Sequence, residues 1–400
     1  MWDYSASNFV ALGAGMNGEV MSMALAANGD LYAGGFFTTA GGGAALFIAK
    51  WNGAAWSAVG AGFDNAIYTV EITPNGNLYV GGLFHNVAGG GIPVSHIAVW
   101  NGAAWAVLGV GVDNQVSVIA STPQGHIYVG GYFHNAGGAG ALHIAEWDGV
   151  TWSTVGGGAD GIVAAIAIAP NGEVFIGGYF SNVGSPAIAA KNIARWNGST
   201  FRALGAGVTS TGINNCVLKL VFDDHGALYA LGDIITADGR STPMNSAVWS
   251  SDIWLPGWCG STNSFIYDLV INANQYVIAG FFTGATTPGV THISTTCTAR
   301  SYPIFTITGP GRLLYLINYT TDQVIYFDIT LVASEILTID LRPGYKTVTS
   351  SFLGNLISGV LAGSLINWYL APGANHIGCY VDNPSATGAY TYVPLSWSID

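Results

Sequence analysis

The sequence predicts an all-β chain in two parts: six four-stranded repeats over residues 1–297, then a β-sandwich over 298–400. Three observations predict it. A stretch of nine or ten residues occurs six times, a tryptophan returns at near-constant spacing, and both signals stop near Cys297, where short apolar segments continue without a period.

The clearest copy of the stretch is Asn75-Gly-Asn-Leu-Tyr-Val-Gly-Gly-Leu-Phe84. The others are 28–37 (NGDLYAGGFF), 124–133 (QGHIYVGGYF), 171–180 (NGEVFIGGYF), and the looser 225–234 (HGALYALGDI) and 274–282 (NQYVIAGFF). Trp2, Trp51, Trp100, Trp147, Trp196 and Trp249 mark the units at steps of 49, 49, 47, 49 and 53 residues. Five residues beyond all but the first comes a second aromatic, Trp56, Trp105, Trp152, Phe201 or Trp254, and then Gly-x-Gly in most copies. A unit of this length holds four short strands.

Each strand has its own signal. Ile67 to Thr73 alternates and reads as strand one; Pro74-Asn75-Gly76 is a turn in which glycine supplies the positive φ. Leu78 to Leu83 is strand two, and its Gly81-Gly82 pair implies close approach by neighbouring backbone or bulky side chains. Strand three is His96 to Trp100. The following Asn101-Gly102 is a hairpin signal leading to strand four, Trp105 to Gly109.

Composition narrows the function. Only 8% of the 400 residues are charged, against about 25% in ordinary domains, while half are apolar and 57 are glycine. Net charge is −12, and residues 1–190 hold one basic side chain, Lys50, against ten acidic ones. Phosphate neutralisation is therefore unavailable and nucleic acid is not an expected partner. Met1 to Asn8 has neither a basic nor an apolar leader region, so a secretory signal is not expected. The apolar run 356–371 is broken by Ser358, Ser364 and Asn367, which favours two short buried strands over membrane insertion. Cys216, Cys259, Cys297 and Cys379 have no metal-ligand spacing and are expected to be reduced and structural, with no cofactor.

On these residues the first part resembles the kelch-type β-propeller. Leu-Tyr-Val-Gly-Gly matches that family's double-glycine strand, and the tryptophan after Asn-Gly its fourth-strand tryptophan. The chain lacks the family's Arg-Pro-type start of strand one. The resemblance implies a six-bladed kelch-like β-propeller. The phase of the repeat adds an expectation of closure: Phe9 to Leu12 pairs with the strand around His292-Ile293 to complete the last blade.

Strand alternation puts the Pro-Asn-Gly and Trp-Asn-Gly turns on one face and the long two-to-three and four-to-one connections on the other. That second face carries the candidate ligand-binding residues His85, Asn86, His134, Asn135, Asp64, Asp113 and Asp160. The histidines recur with the repeat and fit a loop-capping role as well as ligand contact; the aspartates sit where Asx turns are wanted. No residue is offered as catalytic or metal-binding. The sialidase-type box, Gly-x-Ser-x-Gly, a phosphate loop and HExxH are all missing from the sequence.

Beyond Cys297, strands are expected at Leu313 to Asn318, Gln323 to Leu331, Glu335 to Leu341, Lys346 to Ser350 and Tyr390 to Ile399. This part resembles the C-terminal, galectin-like sandwich of siphophage distal tail proteins. The matching pieces are Tyr302-Pro303 with Gly309-Pro310-Gly311, Asn318 with Thr320-Thr321, Val324 to Phe327, Glu335 to Gly344 with Lys346-Thr347-Val348, Leu370 to Ile377, and Leu395 to Trp397. The family's N-terminal ring-forming domain is missing, its place taken by the repeats.

The resemblance implies a non-enzymatic bacteriophage tail protein in the virion. Its sandwich would attach to other tail or baseplate proteins, as a homo-oligomer, and its propeller would be displayed toward a host cell-surface glycan. A carbohydrate-binding propeller acting as receptor-binding protein is the rival reading, and a glycan-cleaving enzyme a third.

Overall fold

In a computed structural model, the described residues are 2–3, 8–9, 11–88, 91–209, 217–223, 226–234, 236–238, 240–241, 245–250, 252–256, 266–272, 275–280, 289–297, 304–308, 311–318, 323–341, 346–356, 360–363 and 373–381. All regular structure among them is β, and the chain divides into two compact units, 1–207 with 213–220, and 208–212 with 221–400.

The first unit contains four antiparallel sheets of four strands each, in sequence order across every sheet. The first is Val20–Leu25, Leu31–Gly35, Ile48–Trp51 and Trp56–Ala58; the second is Ile67–Ile72, Leu78–Gly82, Ile97–Trp100 and Trp105–Ala106. The third is Val116–Ser121, Ile127–Gly131, Ile144–Trp147 and Trp152–Thr154; the fourth is Ile162–Ile168, Val174–Tyr179, Ile193–Trp196 and Phe201–Ala203. These are blade-like sheets, and their first strands lie side by side. Ser22 Oγ accepts a bond from Val70 N, and Thr69 Oγ1 one from Ile119 N, each bridging to the next blade.

The double glycine explains this stacking. Every strand one shifts register opposite the pair, as between Ile67 and Thr69 against Gly82 and Gly81. A Cβ on Gly82 would lie 2.2 Å from the Ala66 carbonyl oxygen, and one on Gly81 would lie 2.3 Å from Val116 of the next blade. One glycine admits the bulge and the other admits the neighbouring blade, so both are needed at once. The close approach expected from sequence is thus found.

Blade cores form from the aromatic series. Phe37, Phe84, Phe133 and Phe180 are buried, and the paired aromatics face each other across the three-to-four hairpin, Trp51 on Trp56 and Trp100 on Trp105. The second ring also ties blades together: Trp105 Nε1 donates to Val59 O at 3.1 Å and Trp152 Nε1 to Leu108 O at 2.8 Å. Gly60, at φ +58°, lies under the next pair, where a Cβ would be 2.9 Å from Trp100. The Asn-Gly hairpin also forms, with Asn101 Oδ1 accepting from Ala103 N and Ala104 N.

A fifth sheet repeats the order with Val217–Phe222, Leu228–Gly232, Ser246–Ser250 and Ile253–Pro256. The hairpin Ile266–Asn272 with Gln275–Gly280 keeps the same register shift, between Ile266 and Asp268.

The second unit also holds a five-stranded sheet ordered Gly289–Cys297, Gly373–Val381, Gly311–Asn318, Gln323–Leu331, Val360–Gly363, and a four-stranded one ordered Ile304–Thr308, Ile336–Asp340, Thr347–Ser350, Gly354–Asn355. A single apolar core draws on both sheets, with Leu313, Ile325 and Phe327 from one and Ile307, Leu337 and Val348 from the other. The four strands expected between 313 and 350 are present within one or two residues; 390–399 lies outside the described residues.

One expectation is overturned. Among the described residues, the strand around His292-Ile293 is paired not with Phe9 to Leu12 but with Gly373–Val381, along the whole length of Gly289–Cys297 and with His292 opposite Gly378. Phe9 pairs instead with Trp2, repeating the Trp51–Trp56 arrangement of the blades. The nine-position ladder places Gly289–Cys297 at the edge of the five-stranded sheet, so this strand belongs to that sheet rather than to a sixth repeat. Of the cysteines, Cys216 and Cys259 lie outside the described residues. Cys379 pairs opposite Thr291, six positions from Cys297, or about 20 Å along the strand and beyond disulfide reach.

Candidate functional site

The loop face of the first unit is more ordered than its glycine content suggests. Each two-to-three connection contains a two-stranded ribbon: Thr39–Ala40 with Gly43–Ala44, Asn86–Val87 with Ile92–Pro93, Asn135–Ala136 with Ala139–Gly140, and Asn182–Val183 with Ile188–Ala189. The four-to-one connection pins it through single bridges, such as Phe63 to Val87 and Val112 to Ala136.

All seven candidate residues take part in these pins, Asp160 with partners that were not candidates. Asp64 Oδ1 accepts from His85 N at 2.9 Å and Asn86 N at 3.1 Å, while Oδ2 accepts from Asn86 Nδ2 at 2.8 Å. Asp113 does the same with His134 N, Asn135 N and Asn135 Nδ2 at 2.8, 3.0 and 2.6 Å. Asp160, the seventh, uses Ser181 N, Asn182 N and Asn182 Nδ2 at 2.8, 2.9 and 2.7 Å. These clamps span 21 or 22 residues, where sequence suggested local Asx turns. In the first blade Asn17 substitutes, accepting from Thr38 N and Thr39 N.

The clamps set the electrostatics. Burial alone would raise the Asp64 pKa, but bonds from the Asn86 side chain and from the Asn86 and His85 backbone outweigh it and hold it lowered; Asp113 and Asp160 behave likewise. The carboxylates stay ionised and occupied. Among the described residues no group of three or more His, Cys, Asp or Glu is placed to hold a metal ion, and no helix is long and apolar enough to cross a membrane.

What the clamps leave available is imidazole. His85 and His134 are exposed, and each meets a buried partner edge to face: His85 on His96 at 4.4 Å and His134 on His143 at 4.8 Å between ring centroids. His96 and His143 sit at φ +67° and +62° immediately before strand three, where Phe47, Asn192 and Asn245 are also left-handed. The backbone there is locked in both directions, with His96 N donating to Phe84 O and His96 O accepting from Gly82 N. Burial, then the His85 ring, lowers the His96 pKa. Burial, outweighing a bond to Gly131 O, lowers that of His143. These inner histidines were missed as site residues; their only sequence signal is a second histidine, 11 residues after His85 and 9 after His134.

The geometry yields loops fixed by repeated hydrogen bonds, with the imidazoles of His85 and His134 exposed on them. No family model and no curated protein matches the chain. Among solved structures it is similar to the WD40 β-propeller domain of Doa1, at 11% identity and TM-score 0.36, covering 54% of this chain and 60% of that one. It is also similar to PorZ, a surface component of the type-IX secretion system of Porphyromonas gingivalis, at 13% and 0.44, covering 85% and 52%. A gluconolactonase from Xanthomonas campestris gives 12% and 0.39, covering 67% and 84%. The chain thus spans little more than half the length of the first two. These neighbours include enzymes and non-enzymes.

Proposed function

We propose that the protein is a non-enzymatic component of a bacteriophage tail: a six-bladed, kelch-like propeller displayed for contact with the host surface and carried on the virion by a C-terminal β-sandwich. The observation that carries the recognition role is the repeated clamp. Three carboxylates that could have served acid-base chemistry are each occupied by three hydrogen bonds, so they fix loops rather than react. A rigid scaffold with varied loops suits binding.

Six blades are read by adding the fifth sheet and the hairpin 266–280, whose register shift matches the earlier copies. The sandwich is read from two sheets sharing one apolar core. Attachment to the tail rests on the resemblance of residues 302–397 to distal tail proteins.

The test uses particles assembled with the full chain. His85→Ala with His134→Ala leaves the clamps intact, and is expected to preserve incorporation while weakening adsorption to the host. Ile377→Pro, in the middle of the five-stranded sheet, is expected to abolish incorporation. Incorporation of the proline variant would overturn the attachment role, and unchanged adsorption of the histidine variant would remove the loop face from host contact.

A further inference from the structure

The residue that follows the double glycine has no role in the blade core, yet it is aromatic in three of the first four copies: Phe36, Tyr132 and Tyr179, with Leu83 in the second. All three rings are exposed, at 42, 43 and 52%. Their backbones are rigidly held at the end of the strand-one, strand-two ladder. Phe36 N donates to Glu19 O at 2.8 Å, Tyr132 N donates to Gln115 O at 2.9 Å, and Tyr179 pairs with Ile162.

The second blade supplies its ring from the neighbouring strand. Tyr68 is the bulged residue between Ile67 and Thr69, and it meets Phe36 edge to face at 5.4 Å. Burial, and after it the nearby Tyr132 phenol, raises the Tyr68 pKa. Four successive blades therefore place an aromatic at the inner side of the loop face.

We propose that Phe36, Tyr68, Tyr132 and Tyr179 form a stacking platform for a neutral, pyranose-based glycan. This rests on the recognition role given above to the loop face, though not on attachment to a virion. The bulge and ladder fix the backbone that carries the rings, so little main-chain freedom is lost on binding; each tyrosine offers an apolar face beside a hydroxyl, and Phe36 an apolar face alone. That is the complement of a pyranose, whose axial C–H groups form an apolar face rimmed by equatorial hydroxyls. Beside Tyr132, Gln115 Nε2 donates to Ser117 Oγ at 3.3 Å, an amide and a hydroxyl suited to exchanging bonds with sugar hydroxyls. Charge selects the neutral class, because one basic residue in the first 190 and a net charge of −12 would repel an anionic polysaccharide. A proline-rich peptide also stacks on tyrosines, but its backbone carbonyls only accept, so it would use the N–H of Gln115 at most, whereas sugar hydroxyls both donate to and accept from the Gln115–Ser117 pair.

The test is binding of the purified full chain to cello-, galacto- and chito-hexaose and to a deca-proline peptide, read by saturation-transfer NMR and calorimetry. At least one hexaose is expected to bind, with Tyr132→Ala weakening it about tenfold and Tyr132→Phe retaining most of the affinity. The Tyr132→Ala, Tyr179→Ala double variant is expected to lose binding while keeping the parent's unfolding temperature, since both side chains are exposed. Gln115→Ala is expected to weaken hexaose binding as well. Lack of binding to all three sugars, binding that survives the double variant, or binding of the peptide instead would overturn the proposal. Tail attachment is read separately, by incorporation, and its failure would leave the sugar result standing.

Discussion

The repeats and the C-terminal sheets are both antiparallel β, yet they are held together at different distances along the chain. In the first four blades the decisive contacts recur at short, fixed offsets: clamps at 21 or 22 residues, and tryptophan-to-carbonyl bonds at 44 or 46 to the preceding blade. In the C-terminal region Gly289–Cys297 pairs with Gly373–Val381, and no internal repeat announces it. The repeats thus write their contacts into the sequence many times over, whereas the C-terminal sheet writes its longest ladder once.

If that contrast is right, the largest single effect should come from the long-range ladder. Gly373–Val381 lies between two other strands, so Ile377→Pro removes a ladder bond inside the sheet and should cost at least about 3 kcal/mol. Calorimetry should show the C-terminal transition lost and that of the repeats unmoved. A shift of both together would mean that the two regions unfold as one.

Next in size is the double glycine. Gly82→Ala puts a methyl group 2.2 Å from a backbone oxygen that cannot swing away, and should destabilise the repeats by about 2–4 kcal/mol. Gly76→Ala, where no atom lies within 4 Å of the added carbon, is the control for the turn conformation alone. Equal denaturant midpoints for the two variants would refute the close-approach account.

A smaller effect is expected from the clamp. Asp113→Ala orphans three donors on a solvent-accessible loop and should cost about 1 kcal/mol, whereas Asp113→Asn should cost less because Asn17 serves the same place in the first blade. Hydrogen exchange at the His134 and Asn135 amides should quicken in the alanine variant only.

The smallest effect is with pH. His96 and His143 have pKa values lowered from 6.5 in the folded state, so the unfolded chain takes up protons first as pH falls. Their stabilisation is complete above about pH 6.5 and is lost as the pH drops from there toward the lowered values. His96→Asn with His143→Asn copies Asn192 of the fourth blade, and should flatten unfolding temperature against pH in that window. The aspartate clamps titrate only below 3.8 and should leave a separate, more acidic step.

Read from sequence alone, the strand boundaries of the second blade are correct to within a few residues, because alternation, Asn-Gly turns and paired glycines are local signals. The candidate residues Asp64, His85 and Asn86 were found because they recur, but their mutual bonding was not legible: a carboxylate and an amide 22 residues apart carry no mark that distinguishes a clamp from a ligand site. The exposed ring of Tyr132 was equally hidden, since Phe133 beside it is fully buried and composition treats the two alike.

By itself, then, the sequence determined the class of structure, the repeating blade and its turns, because hydrophobic period and positive-φ glycines act over a few residues. Only the tertiary structure decided which strand Gly289–Cys297 joins, which partners hold the aspartates and which aromatics face solvent. Those outcomes depend on competition among backbone and side-chain partners far apart in the chain, and that competition is settled by packing geometry rather than by residue type.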